Sequence, residues 1–221
     1  MSERTVLFID ANTLATPVTR TILITGAGAD GMRWTWSSHV EEEADRHARG
    51  DSTKTSTVRT TILKSELSPT ARTTRGLKTR SVKDRQVIAD AIKAGARYLI
   101  TTDVDDFDFD DLAAHGMNAV NADHFMAQRF SEDAYRESVE LLSQIQKNPG
   151  RTPAEVHRML GRRHPRLATR FSYLYGTLPV DADPDQPSVI FRGISCIRCD
   201  NHLGNEEGMQ VGLCAEHFAT N

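Results

Sequence analysis

Four acidic residues occupy positions that a parallel α/β sheet would bring to one edge. Asp10 directly follows the apolar run "VLFI", and Asp103 follows "RYLITT" in the same way. Asp84 lies near the start of the helical pattern "VKDRQVIADAIK", and Glu43 lies in the predicted helix after "RWTWSS". The carboxyl ends of parallel strands form the ligand-binding edge of such sheets. The spacing therefore predicts that the four carboxylates meet there.

A cluster of four carboxylates is self-repulsive unless cations neutralise it. All-oxygen ligand sets suit Mg²⁺ or Mn²⁺. The sequence therefore predicts a divalent-metal site with Asp10, Glu43, Asp84 and Asp103 as ligands. Each acid taken singly also fits a helix cap, a turn or a solvated helix face, so the prediction depends on their joint spacing.

A second set of metal-ligand types lies in the C-terminal tail, "CIRCDNHLGNEEGMQVGLCAEHF". Cys196 and Cys199 form a C-x-x-C pair, and Cys214 and His217 form a C-x-x-H pair after fourteen intervening residues. Two such pairs match the ligand types and spacing of a tetrahedral structural Zn²⁺ site. His202 is surplus to this set and is expected to face solvent. The alternatives are incidental free thiols or a redox pair, for which the thioredoxin-like surroundings are lacking.

The elements that must position these residues alternate between strand and helix patterns. "VLFI", "RWTW", "RYLI" and "MNAV" are short runs typical of strands. Helices are predicted through the three glutamates, through "VKDRQVIADAIK", over "DFDDLAAHG" and near residues 131–146. Strands that alternate with helices indicate an α/β fold with a parallel sheet.

Three parts are predicted along the chain. Residues 1–147 form the main α/β domain, which carries a basic, loop-rich insert at 51–80. Residues 148–180 form a helical extension of two helices, which begins with the capping-box pattern "TPAE". A linker rich in proline and aspartate, "PVDADPDQPS", then leads to a small, separate zinc-binding module at 186–221.

The composition is that of a soluble globular protein. The chain has 221 residues, 38% hydrophobic content and a formal net charge of −3, which suits one main domain with an appendage. No apolar run approaches the roughly 20 residues that span a bilayer, and the N-terminus lacks a signal-peptide pattern. A cytoplasmic location without membrane contact is expected, in keeping with reduced thiols.

Three stretches taken together resemble the PIN domain, the nuclease fold of VapC-type toxins. They are "FIDANTL", "VEEEADR" and "KDRQVIADAIKAGARYLITTDVDDF", and the similarity covers roughly residues 5–145. The resemblance implies a three-layer α/β/α fold around a parallel sheet and Mg²⁺- or Mn²⁺-dependent cleavage of RNA. Asp10, Asp84 and Asp103 match the family's first acid, its helical acid and the acid after the later strand.

The second acid of the family's set is placed less directly. Counted from the serine cap of the helix, Glu43 fits best, with Glu42 as a close competitor. Many relatives have asparagine at the position of Asp103, so an acid here is compatible with tighter metal binding. The insert and the tail lie outside what the resemblance explains.

The implied reaction is metal-assisted hydrolysis of a phosphodiester bond, with the four acids as catalytic residues. Cations that they hold would lower the pKa of a bound water and offset the charge on the scissile phosphate. Asn12 and Thr102 are expected to orient the carboxylates or the phosphate. Basic residues, with two tyrosines as stacking groups, would hold the RNA backbone. The candidates are Arg59, Lys64, Arg72, Arg75, Lys78, Arg80, Arg158, Arg162, Arg163, Arg166, Tyr173 and Tyr175.

The resemblance also implies that the chain is the toxin of a toxin–antitoxin pair, with a small antitoxin protein and a second copy of itself as partners. Two other functions compete with this interpretation. One is a non-catalytic RNA- or protein-binding adaptor on the same fold. The other is a phosphatase of the haloacid-dehalogenase type, whose nucleophile motif resembles "DANT". That chemistry needs a second aspartate two positions after Asp10, where this sequence has Asn12.

Overall fold

A five-stranded sheet forms the centre of the molecule. The computed structural model describes residues 4–176, 187–203 and 206–220. The strands are β1 (Val6–Ile9), β2 (Arg33–Thr35), β3 (Tyr98–Ile100), β4 (Asn118–Val120) and β5 (Phe191–Arg192). Their order across the sheet is β2-β1-β3-β4-β5. The first four strands run parallel, and β5 pairs antiparallel with β4, so the predicted α/β fold with parallel strands is confirmed.

The central strands are buried on both faces, which explains their continuous apolar runs. Leu7, Phe8 and Ile9 of β1 are fully buried, as are Leu99 and Ile100 of β3. Their side chains point alternately to the two faces of the sheet, so helices must cover both faces to keep them from water.

The helices follow the strands along the chain. They are α1 (Ala11–Leu14), α2 (Pro17–Ala29), α3 (Ser38–His47), α4 (Thr55–Thr57), α5 (Val82–Lys93), α6 (Phe109–Ala114), α7 (Ala122–Arg129), α8 (Glu132–Ile145), α9 (Pro153–Arg163), α10 (Pro165–Arg170), α11 (Ser172–Tyr175), α12 (Glu206–Val211) and α13 (Ala215–Phe218). A π-helical turn at Val58–Leu63 and a 3-10 turn at Val104–Asp106 complete them. Among the residues that the structure describes, no helix is long and apolar enough to cross a membrane.

Helix α2 is an element that the sequence patterns did not predict. Its sequence, "PVTRTILITGAGA", is rich in β-branched residues and glycine, which have low helix propensity. Tertiary packing overrides that propensity, because Ile22 and Leu23 are fully buried. A side chain at Gly26 would collide with the ring of Phe130. The glycine therefore permits close packing of α2 against the end of α7.

The insert at 51–80 is mostly irregular but is held by buried side chains of the main domain. The carboxylate of Asp90, fully buried on α5, accepts a hydrogen bond of 2.7 Å from the Ala71 amide. Asp111 accepts bonds from the Lys78 and Thr79 amides. These bonds satisfy backbone groups that no helix or strand pairs.

The helical extension begins as its capping box predicts. The Thr152 hydroxyl accepts a bond from the Glu155 amide, and the Glu155 carboxylate accepts one from the Thr152 amide. Three short helices follow rather than two, because Pro165 cannot continue α9 and instead starts α10. Residues 179–186, which are most of the predicted linker, lie outside the described residues.

The tail is joined to the main sheet and is not the separate module that the sequence suggested. Strand β5 adds to the sheet, and Asn118 of β4 donates to the Ser195 hydroxyl at 2.8 Å. Ile197 and Leu203 of the tail are buried in the main core. So short a segment has too few apolar residues for a core of its own and uses that of the main domain.

Candidate active site and metal-ligand cluster

Asp10 stands at the carboxyl edge of the sheet, between β1 and β3. Its amide continues the strand pairing with a bond of 2.9 Å to the Ile100 carbonyl. Its side chain then caps α1, because Oδ1 accepts a bond of 2.7 Å from the Ala11 amide. Oδ2 accepts a bond of 2.9 Å from the Thr101 hydroxyl. Two bonds fix the carboxylate and leave further lone pairs for a ligand.

The electrostatic surroundings of Asp10 disfavour its charge. Burial raises the pKa of Asp10 from its ordinary value of 3.8 to about 6, although the bonds from Ala11 and Thr101 act in the opposite direction. The carboxylates of Asp84 and Glu43 raise the pKa of Asp10 further by repulsion. The charges of two acids from distant segments therefore act on Asp10 at this edge, and a cation would relieve that repulsion.

Asp103 joins this edge through a network of polar side chains. Asn12 Nδ2 donates to Asp103 Oδ2 at 2.9 Å and to Thr101 Oγ1 at 3.1 Å. The Thr101 hydroxyl also accepts a bond of 3.2 Å from the Asp103 amide. Asn12 and Thr101 thus connect Asp10 on one strand end to the exposed Asp103 on the next.

The three consecutive glutamates of α3 have different surroundings. Glu41 is buried and accepts bonds from Trp36 Nε1 at 3.1 Å and from Nε and Nη2 of Arg59 at 2.6 and 3.0 Å. Glu42 is exposed to solvent. Glu43 is partly buried, and its Oε1 lies 3.4 Å from Lys83 Nζ. The carboxylate that acts on Asp10 is thus the one on Glu43.

Asp84 lies in the first turn of α5, where its amide donates to the hydroxyl of the N-cap Ser81 at 3.4 Å. Its negative charge acts on Asp10 and also on Asp106, an acid that the sequence argument did not select. Burial and then the charges of Asp84 and Asp103 raise the pKa of Asp106. Five acids therefore lie at this edge of the sheet, one more than predicted, and we call them the acidic edge. They are Asp10, Glu43, Asp84, Asp103 and Asp106.

The acidic edge suits a hard cation by the chemistry of its donors, which are all oxygens with excess negative charge. Its carboxylates are nevertheless not gathered around one point. Within residues 4–176, 187–203 and 206–220, a single group of three or more histidine, cysteine or acidic side chains is placed to hold a metal ion, and it lies in the tail. A cation at the acidic edge would have to draw its ligands together.

The group in the tail consists of Cys196, Cys199, Cys214 and His217, whose ligand atoms all lie within 4.8 Å of one another. Cys214 Sγ is 3.3 Å from His217 Nδ1 and Cys196 Sγ is 3.5 Å from the same nitrogen, while Cys199 Sγ is 3.7 Å from Cys214 Sγ. His202 is exposed and stands outside the group. This cluster can bind a metal ion such as zinc.

Two tight turns bring the four tail ligands together. In the first, the Asp200 amide bonds to the Cys196 carbonyl at 2.9 Å, with Asp200 in the left-handed region at a φ of 60°. The buried Tyr98 hydroxyl donates to Asp200 Oδ1 at 2.7 Å and so anchors this turn to β3. In the second, Cys214 caps α13, which places His217 one turn further along. Each pair is thus set by local structure.

Thr101 is the residue of the acidic edge that sequence reasoning missed in favour of Thr102. The Thr102 side chain is exposed, and only its amide reaches Asn12 Oδ1, at 3.3 Å. The pairing register of β1 with β3, which the sequence does not reveal, identifies Thr101. Ile9 stands opposite Ile100 in the parallel pair, so the next residues, Asp10 and Thr101, are neighbours.

Three of the predicted RNA-binding residues form ion pairs, and one of these three, Lys78, is itself exposed. Arg59 is engaged by Glu41, Lys78 Nζ lies 2.7 Å from Asp110, and Arg166 lies 3.8 Å from Asp123. The exposed ones include Arg72, Arg75, Arg80, Arg158, Arg162 and Arg163. The Tyr173 hydroxyl donates to Glu132, and Tyr175 contacts the ring of Tyr135.

The chain was compared with known protein families, with curated proteins and with solved structures, and none of the three comparisons found a match.

Proposed function

We propose that this protein is a metal-dependent endoribonuclease that hydrolyses RNA phosphodiester bonds at the acidic edge. The observation that carries the proposal is that the charges of Asp84 and Glu43, from two distant helices, both act on Asp10 at the end of β1. A fold without a ligand here would gain nothing from placing three acids together. Mg²⁺ or Mn²⁺ is the cation that suits oxygen donors in this arrangement.

The chain's own residues would prepare this site in a defined way. Ala11 and Thr101 fix the two oxygens of Asp10, and Asn12 fixes one oxygen of Asp103. Asp84 and Glu43 complete the negative charge from the two helices. When bound, the cation supplies an activated water and neutralises charge on the scissile phosphate. No side-chain nucleophile is required.

We further propose that the Cys196, Cys199, Cys214 and His217 cluster holds a structural Zn²⁺. Four ligands from two turns close the tetrahedral shell and leave no open position for catalysis. The cluster sits where the tail joins the sheet, since Tyr98 anchors its first turn. Zinc here would stabilise the attachment of the tail and has no part in the cleavage reaction.

A narrower proposal comes from the sequence motifs alone. The resemblance to VapC-type toxins favours a toxin role, with a small antitoxin encoded beside it and a homodimeric state. Co-purification of the protein with the product of the neighbouring reading frame tests this, and cleavage that is insensitive to that product would contradict it. The phosphatase alternative is disfavoured because the Asn12 amide is not acidic enough to act as a general acid. Its Nδ2 group instead donates a hydrogen bond to Asp103.

The decisive experiment measures cleavage of single-stranded RNA with Mg²⁺ or Mn²⁺ present and absent. Wild type should cleave only with the cation, and Asp10→Asn should lower the rate by at least about a hundredfold, the cost of losing one key electrostatic group in other enzymes.

The cation should also raise the melting temperature of wild type, because it binds the native state. Asp84→Ala and Asp103→Ala should lose that rise. Unimpaired cleavage by Asp10→Asn would refute the assignment of the acidic edge as the active site. A wild type that cleaves no RNA with either cation would leave the adaptor function.

A further inference from the structure

Lys83 lies inside the acidic edge as its positively charged member. Its Nζ is 3.4 Å from Glu43 Oε1, and its side chain is 63% exposed. In the part of the chain that the structure describes, it is the only lysine or arginine that forms an ion pair with any of the four acids. His47 approaches the same Glu43 oxygen at 3.9 Å. Lys83 is thus the permanent cation that pairs with Glu43.

The position of Lys83 on its helix is locally unfavourable. It is the second residue of α5, and the positive end of the helix dipole disfavours a cation in the first turn. The next residue, Asp84, is one of the four acids, so the ammonium bridges the two helices that supply Asp84 and Glu43. The attraction of the neighbouring carboxylates, and not the helix dipole, therefore favours a lysine at position 83.

We propose that Lys83 is the resting counter-ion of Glu43 and that it contacts an RNA phosphate once a divalent cation has taken its place. The proposal rests on the proposed function and adds a substrate-contacting residue to it. A divalent cation carries twice the charge of the ammonium and competes with it for the Glu43 carboxylate. The displaced ammonium, on a flexible four-carbon stem, stays within reach of any phosphate bound at the acids.

The ion pair between Lys83 and Glu43 is weak enough for a divalent cation to displace the ammonium from the Glu43 carboxylate. Exposed ion pairs of this kind change binding constants by only about 1.4- to fivefold. Removal of the lysine charge should therefore improve metal binding by that factor while it impairs the handling of RNA. If Lys83 were only a solvent-exposed surface residue, its removal would change neither metal binding nor RNA cleavage. Tighter metal binding together with weaker cleavage therefore identifies Lys83 as both counter-ion and phosphate contact.

The experiment compares Lys83→Met with Lys78→Met, a matched control in which another exposed lysine loses its acidic partner, Asp110. Melting temperatures are recorded against Mn²⁺ concentration without RNA. The Mn²⁺ midpoint should fall about 1.4- to fivefold in Lys83→Met and stay at the wild-type value in Lys78→Met. Lys83→Arg keeps the charge and should stay close to wild type.

The second measurement is cleavage at saturating Mn²⁺ over a range of salt concentrations. In Lys83→Met, kcat/KM should fall, and the slope of its logarithm against the logarithm of salt should become shallower by about 0.7, the value for one phosphate contact on a single strand. An unchanged Mn²⁺ midpoint overturns the counter-ion role, and an unchanged salt slope overturns the phosphate contact. If wild type cleaves no RNA, the proposed function itself fails, and the Mn²⁺ midpoints still decide whether Lys83 competes with the metal.

Discussion

The acidic edge and the tail cluster are two metal-binding candidates assembled in opposite ways. In the tail, each pair of ligands lies within one turn of chain, and all four ligand atoms are already within 4.8 Å of one another. At the acidic edge, the candidate ligands come from four separate segments that the sheet and its helices bring together, and oxygens of Asp10 and Asp103 remain bonded to other groups. The comparison separates a site made by local turns from a site made by the whole fold.

In both regions, the surroundings of the candidate ligand groups shift their pKa values. Backbone amides and His217 oppose the effect of burial and lower the pKa of the Cys196 thiol, so a thiolate ligand is favoured before any metal arrives. At the acidic edge, burial and repulsion make the charge of Asp10 costly. Burial and the neighbouring thiols of Cys196 and Cys214 raise the pKa of the Cys199 thiol to about 11. Both regions therefore contain a candidate ligand whose charge is costly without a cation, and the tail differs in that its four ligand atoms already lie close together.

The largest expected effect is on the tail. Cys199→Ser removes one of four ligands, so the protein should lose its zinc, whose binding contributes on the order of 10 kcal/mol to folding in zinc-finger peptides. Because Ile197 and Leu203 belong to the main core, we expect the melting temperature to fall by at least about 10 °C. Elemental analysis and thermal melting measure both effects. His202→Ala is the control and should keep the zinc, and equal zinc in both variants would contradict the closed site.

The second effect is a pH dependence at the acidic edge. The folded-state pKa of Asp10 is raised from 3.8 to about 6, so the native state holds this proton more tightly than the unfolded state does. The stability from this group is present at low pH and is lost as pH rises through about 6, by up to about 3 kcal/mol. Asp10→Asn should therefore match wild type near pH 4 and exceed its melting temperature at pH 7, in buffer without added divalent cations. A difference that is constant with pH would contradict this account.

The third effect distinguishes two neighbouring glutamates. Glu43→Gln should weaken Mn²⁺ binding and cleavage by about a hundredfold, at the upper end of what outer ligands of metal sites contribute. Glu42→Gln removes the same charge from an exposed position on the same helix and should change neither. Mn²⁺-dependent melting and cleavage rates test the pair. Equal losses in the two variants would mean that only the net charge of α3 matters.

The smallest effect concerns Thr101. Thr101→Val removes the hydroxyl that donates to Asp10 at 2.9 Å, so the pKa of Asp10 should rise further and cleavage should fall about tenfold. Thr102→Val alters an exposed side chain and should leave the rate unchanged. Cleavage rates at several pH values measure the shift. A larger loss in the Thr102 variant would restore the residue that the sequence had favoured.

The sequence by itself determined the features that depend on local pattern. Its apolar runs located β1, β2, β3 and β4, and its capping box located the start of α9. The C-x-x-C and C-x-x-H pairs identified all four members of the tail cluster, since residues three apart in a turn meet wherever that turn forms. Asp10 and Asp103 were selected because each follows a predicted strand, and Asp84 and Glu43 because each lies in a predicted helix.

Only the tertiary structure decided the features that depend on distant contacts. Helix α2 forms against its own propensity because Ile22 and Leu23 are buried, and the tail joins the sheet because Ile197 and Leu203 need the main core. The choice of Thr101 depended on the register of β1 with β3. Propensity and spacing act within a few residues, whereas burial and register are set between segments about 90 or more residues apart, and the energies of those contacts outweigh local preference.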